Sequence, residues 1–481
     1  MADSIRSCIK IDEDEYSENA GNTDDWKDPQ KKGLRTEMSL CFLGTGAGSP
    51  ANIRSSSCTL LRISGTNYLF DVGEGTQRQL QFARGKGASV QKIEKIFITH
   101  LHGDHVFGLP GLLLSLQTSY MQTLATIREK ERTKKRHEKD VDEDYTIKVY
   151  GPPGLFNFIA SMITLSCTRL HLLKVDVHEL VGGRVRRVTT PPPSAQRHLP
   201  RSSPRQQPFR DPFRDDYPEF RHNAGRIQRI QIPCEKGVWN IQDKPPPLTR
   251  EDILTSVRRQ STGGGKILAR KQHERIRIRA AEVDHLPGVA TFGYVVEEDD
   301  PAKNLDVSKA RALGVSHKDK KYDLLKHGFA VDADDGSGCR VEPSEVLKPA
   351  SKKARKIAVV GDNRGWTPQM TEIARSADVL VHEATLSEED RSRGHSTAST
   401  AGRNAEGCGA ELLILNHVSP KMESKMSLLV REAYEASSRK LSVLVSFDFL
   451  EVLVPWLGFG ASSSAVAKEE GNRPRDGDAR D

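Results

Sequence analysis

Apolar positions along the chain fall into short runs that end in polar residues, the mark of buried strands feeding loops. SLCFLG, KIFITH, IKVYG, IAVVGD, ADVLVHE, ELLILNH and SVLVSFD all follow this pattern. TLLRISGTNYLFDVGEG predicts a β-hairpin with Gly65, Thr66 and Asn67 at its tip. In ERIRIRAAEVDH, Ile276, Ile278 and Ala280 alternate with Arg275, Arg277 and Arg279, which predicts a strand with one buried and one basic face. Helices are expected over 76–86, near 155–164 and from GLPGLLLSLQTSYMQTL onward. Strands interleaved with helices place the chain in the α/β class. The apolar stretch from Leu441 to Phe459 is interrupted by Asp448 and Glu451, so it reads as paired core strands and not as a membrane span.

Between these elements lie long polar tracts. Residues 1–38 form an acidic tail, and 128–144 a run of mixed charge that reads as a solvated helical extension. Residues 184–272 form an Arg/Pro-rich insertion with two PPP and one GGG string, 297–345 a second polar segment, and 461–481 a polar tail. The tails and most of the insertion are expected to be disordered. The body is then 39–183 plus 273–456. Across 481 residues, 36% are hydrophobic and 28% charged, which fits one large domain with polar insertions better than three compact ones. A net charge of +7 permits nucleic acid as a partner without requiring it.

The seven cysteines are odd in number and contain no CxxC pair. A disulfide framework or thiolate zinc site is therefore not expected, and any transition metal falls to histidine and carboxylate. The first thirty residues lack an apolar targeting core, so a cytosolic or nuclear protein that avoids the membrane is the expectation.

The run HLHGDH carries the sharpest chemistry. It places His100, His102, Asp104 and His105 on one tight loop after a buried strand. Alternate residues of an extended segment point the same way, so His100 and His102 can share one metal while Asp104 and His105, past Gly103, reach a second. Imidazole and carboxylate donors suit zinc. Two metals need further ligands. The candidates are His285, Asp362 and His417, each of which directly or nearly follows an apolar strand. A lone strand-end histidine is more often structural; the repetition of the pattern is what singles these out.

The segments FLGTGAGSP, FDVGEGTQRQL, FITHLHGDHVFGLPGLL, YGPPGL, VDHLPGVATFGYVVEE, VVGDN, HEAT, GHSTA and LNHVSP closely resemble the short form of tRNase Z, the tRNA 3′-processing endoribonuclease of the metallo-β-lactamase superfamily. HxHxDH alone marks only the superfamily; HEAT, GHST and the Gly-rich opening are more specific. The resemblance implies an αβ/βα sandwich with a protruding flexible arm and two zinc ions per subunit. His100, His102 and His285 would hold one zinc, Asp104, His105 and His417 the other, and Asp362 would bridge them. Asp104 would serve as general base and His395 as proton donor, paired with Glu383, while His382 is read as structural. The resemblance further implies precursor tRNA as substrate, a homodimer, and an arm at 297–345 that grips the tRNA. Lys318, Lys320 and Lys321 stand where the family usually has a Gly/Pro-rich turn, and suit phosphate contact. Arg54, kept in PANIRS where the family's lysine is lost, is the candidate for handling the RNA 3′ end.

Overall fold

The computed structural model describes residues 9–10, 38–63, 65–133, 144–184, 225–242, 249–255, 276–299, 304–348, 354–392, 394–438 and 441–454. Two sheets face one another. The nine-stranded sheet runs, edge to edge, through Ile9–Lys10, Glu451–Leu453, Met38–Gly44, Cys58–Ile63, Thr66–Phe70, Ile93–Phe97, Tyr145–Gly151, Leu173–Val181 and Ile227–Pro233. The eight-stranded sheet runs through Gly365–Trp366, Ile276–Asp284, Thr291–Glu298, Lys356–Val360, Val379–Glu383, Leu412–Asn416 and Ser442–Val445, with Val238–Gln242 also paired to Ile276–Asp284.

Strand alternation builds three layers of core. Inward-facing Phe42, Tyr68, Phe70, Phe97, Tyr150, Trp239, Phe292 and Tyr294 fill the space between the sheets. The opposite face of the first sheet carries Ile96, Ile98, Ile147, Val149 and Val175. It is covered by Leu109, Leu112, Leu113 and Leu116 of the helix Leu109–Thr133 and by Ile159 and Ile163 of the helix Leu155–Leu165. On the second sheet, Ala281, Val295, Ala358, Leu380 and Leu413 are covered by Met370, Ile373, Ala401, Ala405 and Leu429. Strands covered on both faces read as continuous apolar runs, which is why IAVV and LLIL show no alternation. No helix among the described residues is long and apolar enough to cross a membrane.

Four expectations change. Ser442–Val445 and Glu451–Leu453 do not pair with one another. The first runs parallel to Leu412–Asn416 in one sheet, and the second is antiparallel to Met38–Gly44 in the other. The turn between them, which carries Asp448, is where the chain crosses from sheet to sheet. The insertion is narrower than 184–272, because Ile227–Pro233 extends the first sheet and Val238–Gln242 joins the second. Its PPP and GGG strings lie outside the described residues. The acidic tail contributes one short strand, with Ile9 opposite Val452; the rest of residues 1–37, the charge run at 134–143 and the tail at 461–481 lie outside them too.

The fourth change is in 297–345. Glu297 and Glu298 complete a body strand, and 304–348 fold into a small unit with its own core of Ala310, Val315, Leu324, Leu325, Val331, Val341 and Val346. Ile253, from the helix Arg250–Thr255, joins that core. The capping box at Glu342 and Glu345 and the Asp306 cap start two of the unit's helices.

Phe97 is fully buried between the sheets, its ring stacked 5.0 Å from that of Phe70 and 5.2 Å from that of Tyr150. Phe97→Ala should lower stability by about 3–5 kcal/mol, measured as a shift in the urea unfolding midpoint. A loss below about 1 kcal/mol would show that this layer collapses to fill the void.

Candidate metal centre

The strands that precede the candidate ligands end at one edge of the sandwich. His100 follows Ile93–Phe97, His285 follows Ile276–Asp284, Asp362 follows Lys356–Val360, and His417 follows Leu412–Asn416. Loops beyond the carboxyl ends of parallel strands are where α/β folds gather their chemistry. The sheets meet there through the Phe292 N–H, which donates to the Thr99 carbonyl at 3.0 Å. Gly361 allows this approach, since a Cβ at that position would lie 2.5 Å from the Thr99 Cβ.

Three overlapping groups of donor atoms result, each with its atoms within 4.8 Å of one another: His100, His102, His285 and Asp362; Asp104, His105 and His417; and Asp362, Glu383, His395 and His417. His102 Nδ1 lies 3.0 Å from His100 Nε2 and 3.4 Å from His285 Nε2. His417 Nε2 lies 3.1 Å from His105 Nε2 and 3.2 Å from Asp104 Oδ2. Asp362 stands between the groups. One of its oxygens is 3.8 Å from His100 Nε2, and the other is 3.5 Å from His105 Nε2 and 3.4 Å from His417 Nδ1. Burial opposes charge on Asp362, but His417 and His105 hold it well below the usual carboxylate range. Burial and the adjacent His105 push His100 well below the ordinary histidine value.

These groups fit metal ions because the ring nitrogens on the far side are occupied. His100 Nδ1 lies 3.1 Å from Thr99 Oγ1, which in turn donates to Asp71 Oδ2 at 2.9 Å. His105 Nδ1 lies 2.7 Å from the same Asp71 oxygen, and His285 Nδ1 lies 2.6 Å from the Gly394 carbonyl. His417 Nδ1 meets the Thr385 hydroxyl at 3.0 Å. A histidine that donates one ring N–H to an acceptor turns the lone pair of the other nitrogen toward a metal. Nitrogen and oxygen donors of this kind suit zinc. Asp71 and His417 both adopt left-handed backbone, with φ of 59° and 56°. This conformation is disfavoured for side chains of that size and is found where surrounding structure over-determines it.

The residues expected to do acid–base work are brought together beside Asp362. His395 Nδ1 lies 3.0 Å from Glu383 Oε2 and 3.5 Å from Asp362 Oδ2. Glu383 is buried and accepts also from the Asn363 N–H and, at 2.5 Å, from the Thr385 hydroxyl. Burial disfavours charge on His395, but the Glu383 hydrogen bond and charge, followed by Asp362, raise it to about 9. Thr397 caps the helix that follows. Asp104 accepts the Gly48 N–H at 2.7 Å; burial raises its carboxyl, but His417 and His105 pull it down to about 2. His382 is structural, stacked on Trp366, with Nδ1 2.6 Å from the Glu383 carbonyl and Nε2 3.0 Å from Asn404.

The expected RNA contacts come out differently. Arg54 is only 4% exposed, ion-paired to Glu423 at 2.7 Å and bonded to Thr45 Oγ1 and the Ser446 carbonyl, so it is committed to the interior. Lys320 donates to the carbonyls of Ile253 and Leu254, and Lys321 to Asp332 and Asp334. Lys318 is exposed, in the turn Lys318–Lys320 of the small unit. Three positioning residues were missed: Asp71, Thr385 and Gly394. Asp71 was findable, since it follows the apolar run YLF just as the ligands follow theirs.

A two-sheet sandwich flanked by helices, with HLHGDH and four further strand-end donors converging on one edge, defines a hydrolase of the metallo-β-lactamase fold. Comparison narrows the class. A family model described as "Anti-Pycsar protein Apyc1" matches residues 38–135. Ribonuclease Z of Bacillus velezensis is 31% identical over 424 residues, covering 87% of this chain and 99% of that protein. The human zinc phosphodiesterase ELAC protein 1 is 33% identical over 437 residues, covering 87% and 99%. Among solved structures, human tRNase Z, short form, aligns with a TM-score of 0.48 at 24% identity, covering 87% of this chain and all of that one. The chain belongs to the ribonuclease Z family.

Asp71 orients two donors at once, so Asp71→Ala should weaken zinc binding by about 10–100-fold with the fold intact by circular dichroism. Competition with a chromophoric chelator measures it, and unchanged affinity would remove Asp71 from this role.

Proposed function

We propose that this protein is a zinc-dependent endonuclease that removes the 3′ trailer from precursor tRNA. The cut falls 3′ of the discriminator nucleotide and leaves a tRNA 3′-hydroxyl and a trailer 5′-phosphate. The observation that carries this reading is the His395–Glu383 pair, set 3.0 Å apart beside a double cluster of metal donors in a chain of the ribonuclease Z family. A generic metal hydrolase has no need of a protonated histidine. A phosphodiesterase expelling a ribose 3′-oxygen does, because an alkoxide is a poor leaving group.

His100, His102 and His285 would hold one zinc and Asp104, His105 and His417 the other, with Asp362 between them. The two ions would supply positive charge to the phosphate and acidify the attacking water. Asp104, kept ionised by His417 and His105, orients that water and takes its proton. His395 is held through Nδ1 by Glu383, so Nε2 carries the proton delivered to the leaving 3′-oxygen. Burial of Glu383 fixes the ring and keeps water from loosening the pair.

The small unit at 304–348 is the counterpart of the tRNA-gripping arm. Lys318 is its phosphate contact, while Lys320 and Lys321 hold the unit together. Binding through such a contact weakens with salt. The family resemblance supports assembly as a homodimer.

Incubation of the zinc-loaded protein with a precursor tRNA and with a linear RNA of equal length tests the reading. It predicts one chelator-sensitive cut at the discriminator of the tRNA, restored by two zinc ions per chain. Cleavage of small phosphodiesters alone would replace the tRNA assignment with that of a general phosphodiesterase.

His395→Ala should slow RNA cleavage by about 10²–10⁴-fold and leave hydrolysis of bis(p-nitrophenyl) phosphate nearly unchanged, because p-nitrophenolate departs without a proton. Equal losses on both substrates would refute the acid role. Asp104→Ala should abolish most turnover on either substrate.

A further inference from the structure

The loop 44–56, between the strands Met38–Gly44 and Cys58–Ile63, reaches the centre from one side. Its Gly48 N–H donates to Asp104 Oδ2 at 2.7 Å. Its Thr45 carbonyl accepts the Val418 N–H at 2.9 Å, and its Ala47 N–H donates to the Val418 carbonyl at 3.2 Å. The loop thus touches the catalytic carboxylate directly and the backbone next to His417. Neither contact is worth much unless the loop itself is fixed.

What fixes it is a buried acid far away in sequence. Asp448 sits in the turn where the chain crosses between the sheets. Its Oδ1 accepts the Thr45 N–H at 3.1 Å and the Thr45 hydroxyl at 2.8 Å. Its Oδ2 accepts the Ser55 N–H at 2.8 Å and Gln79 Nε2 at 3.0 Å. Thr45 and Ser55 are the two ends of the loop, and the Gly46 N–H bonds the Ser55 carbonyl across it at 2.9 Å. Arg54 braces the same point through Thr45 Oγ1 and the Ser446 carbonyl. The crossing turn is itself pinned, by the Ser446 N–H to the Leu415 carbonyl and by the Phe449 N–H to that of Phe42.

We propose that Asp448 is a positioning residue for the reaction: it clamps both ends of the loop 44–56, so that the Gly48 amide holds the Asp104 carboxylate in its working orientation and the loop backbone holds that of His417. The proposal rests on the role given above to Asp104. Four donors converge on the two oxygens, so only a carboxylate satisfies them all. An asparagine would turn an NH₂ group toward the Ser55 N–H and lose that end of the clamp. A misplaced catalytic group costs turnover more than binding, because positioning acts on the reacting geometry.

The test is Asp448→Asn in the full-length zinc-loaded protein, with Thr45→Val as the milder partner: it removes the hydroxyl bonds to Asp448 and from Arg54 but keeps the backbone Thr45 N–H and Ser55 N–H bonds to Asp448. Two readouts are taken: hydrogen exchange of the amides in 44–56, and kcat and KM on precursor tRNA and on bis(p-nitrophenyl) phosphate. The expected result is at least tenfold faster exchange in the loop with cooperative unfolding retained, at least a tenfold loss of kcat, and KM within threefold of wild type. Thr45→Val should follow in the same direction by a smaller factor, and it decides the matter if Asp448→Asn does not fold. Faster loop exchange with kcat unchanged would overturn the proposal, as would a loss of kcat without any change in exchange. A wild-type protein that ignored the tRNA but hydrolysed the small ester would sink the substrate assignment alone, and the clamp would still be judged on the ester.

Discussion

The backbone hydrogen bond from Phe292 N–H to the Thr99 carbonyl draws the two sheets together at the edge where the donors gather. His100, His102, Asp104 and His105 come from the first sheet, while His285, Asp362, Glu383 and His417 come from the second. Two of the three donor groups draw on both sheets. Their convergence depends on the sheets approaching to backbone contact beside Thr99, which the missing side chain of Gly361 permits and the aromatic layer behind it supports. Tyr294, in that layer, adds a side-chain bond across the sheets from its hydroxyl to the Ile98 carbonyl at 2.7 Å.

Much of this was legible in the chain. Each donor lies at or just past the end of an apolar run, and the edge-of-sheet rule follows from that placement. The alternation in IRIRAAEVD also held: Ile276, Ile278 and Ala280 are buried, while Arg277 and Arg279 face Glu297 across the strand pair. What the pattern could not disclose was pairing between distant segments. SVLV and EVL are neighbours in sequence yet serve opposite sheets, because the turn at 446–450 changes layer, and no local periodicity encodes that. QRIQI lay hidden in a polar tract because this edge strand buries no side chain fully, and VWNIQ because a single residue, Trp239, carries its burial, so both look like linker by composition.

Charge was the least transferable signal. A lysine or arginine in a sequence reads as an offer to phosphate, but a fold consumes cations wherever helix ends, turns and buried carboxylates need them. Lys320 closes the carboxyl end of a short helix, Lys321 ties a turn, and Arg54 is held inside by Glu423. Only burial and partners separate those uses from a free surface charge, and both are three-dimensional. Acidic residues showed the converse. Asp71 follows an apolar run much as the other donors do, and Asp448 reads only as a break in one, yet each gathers partners from segments far apart in the chain.

His417 turns its backbone to φ 56°, a conformation that glycine or asparagine would adopt at less cost. Its imidazole therefore persists against the preference of its own main chain. Selection on folding alone would drift toward the smaller residue at this point, and on the zinc-holding role proposed for His417 the resulting protein would be sturdier but short of a metal donor. The residue marks a place where durability and activity pull in opposite directions, so stabilised variants chosen without an activity screen should be expected to lose their function here first.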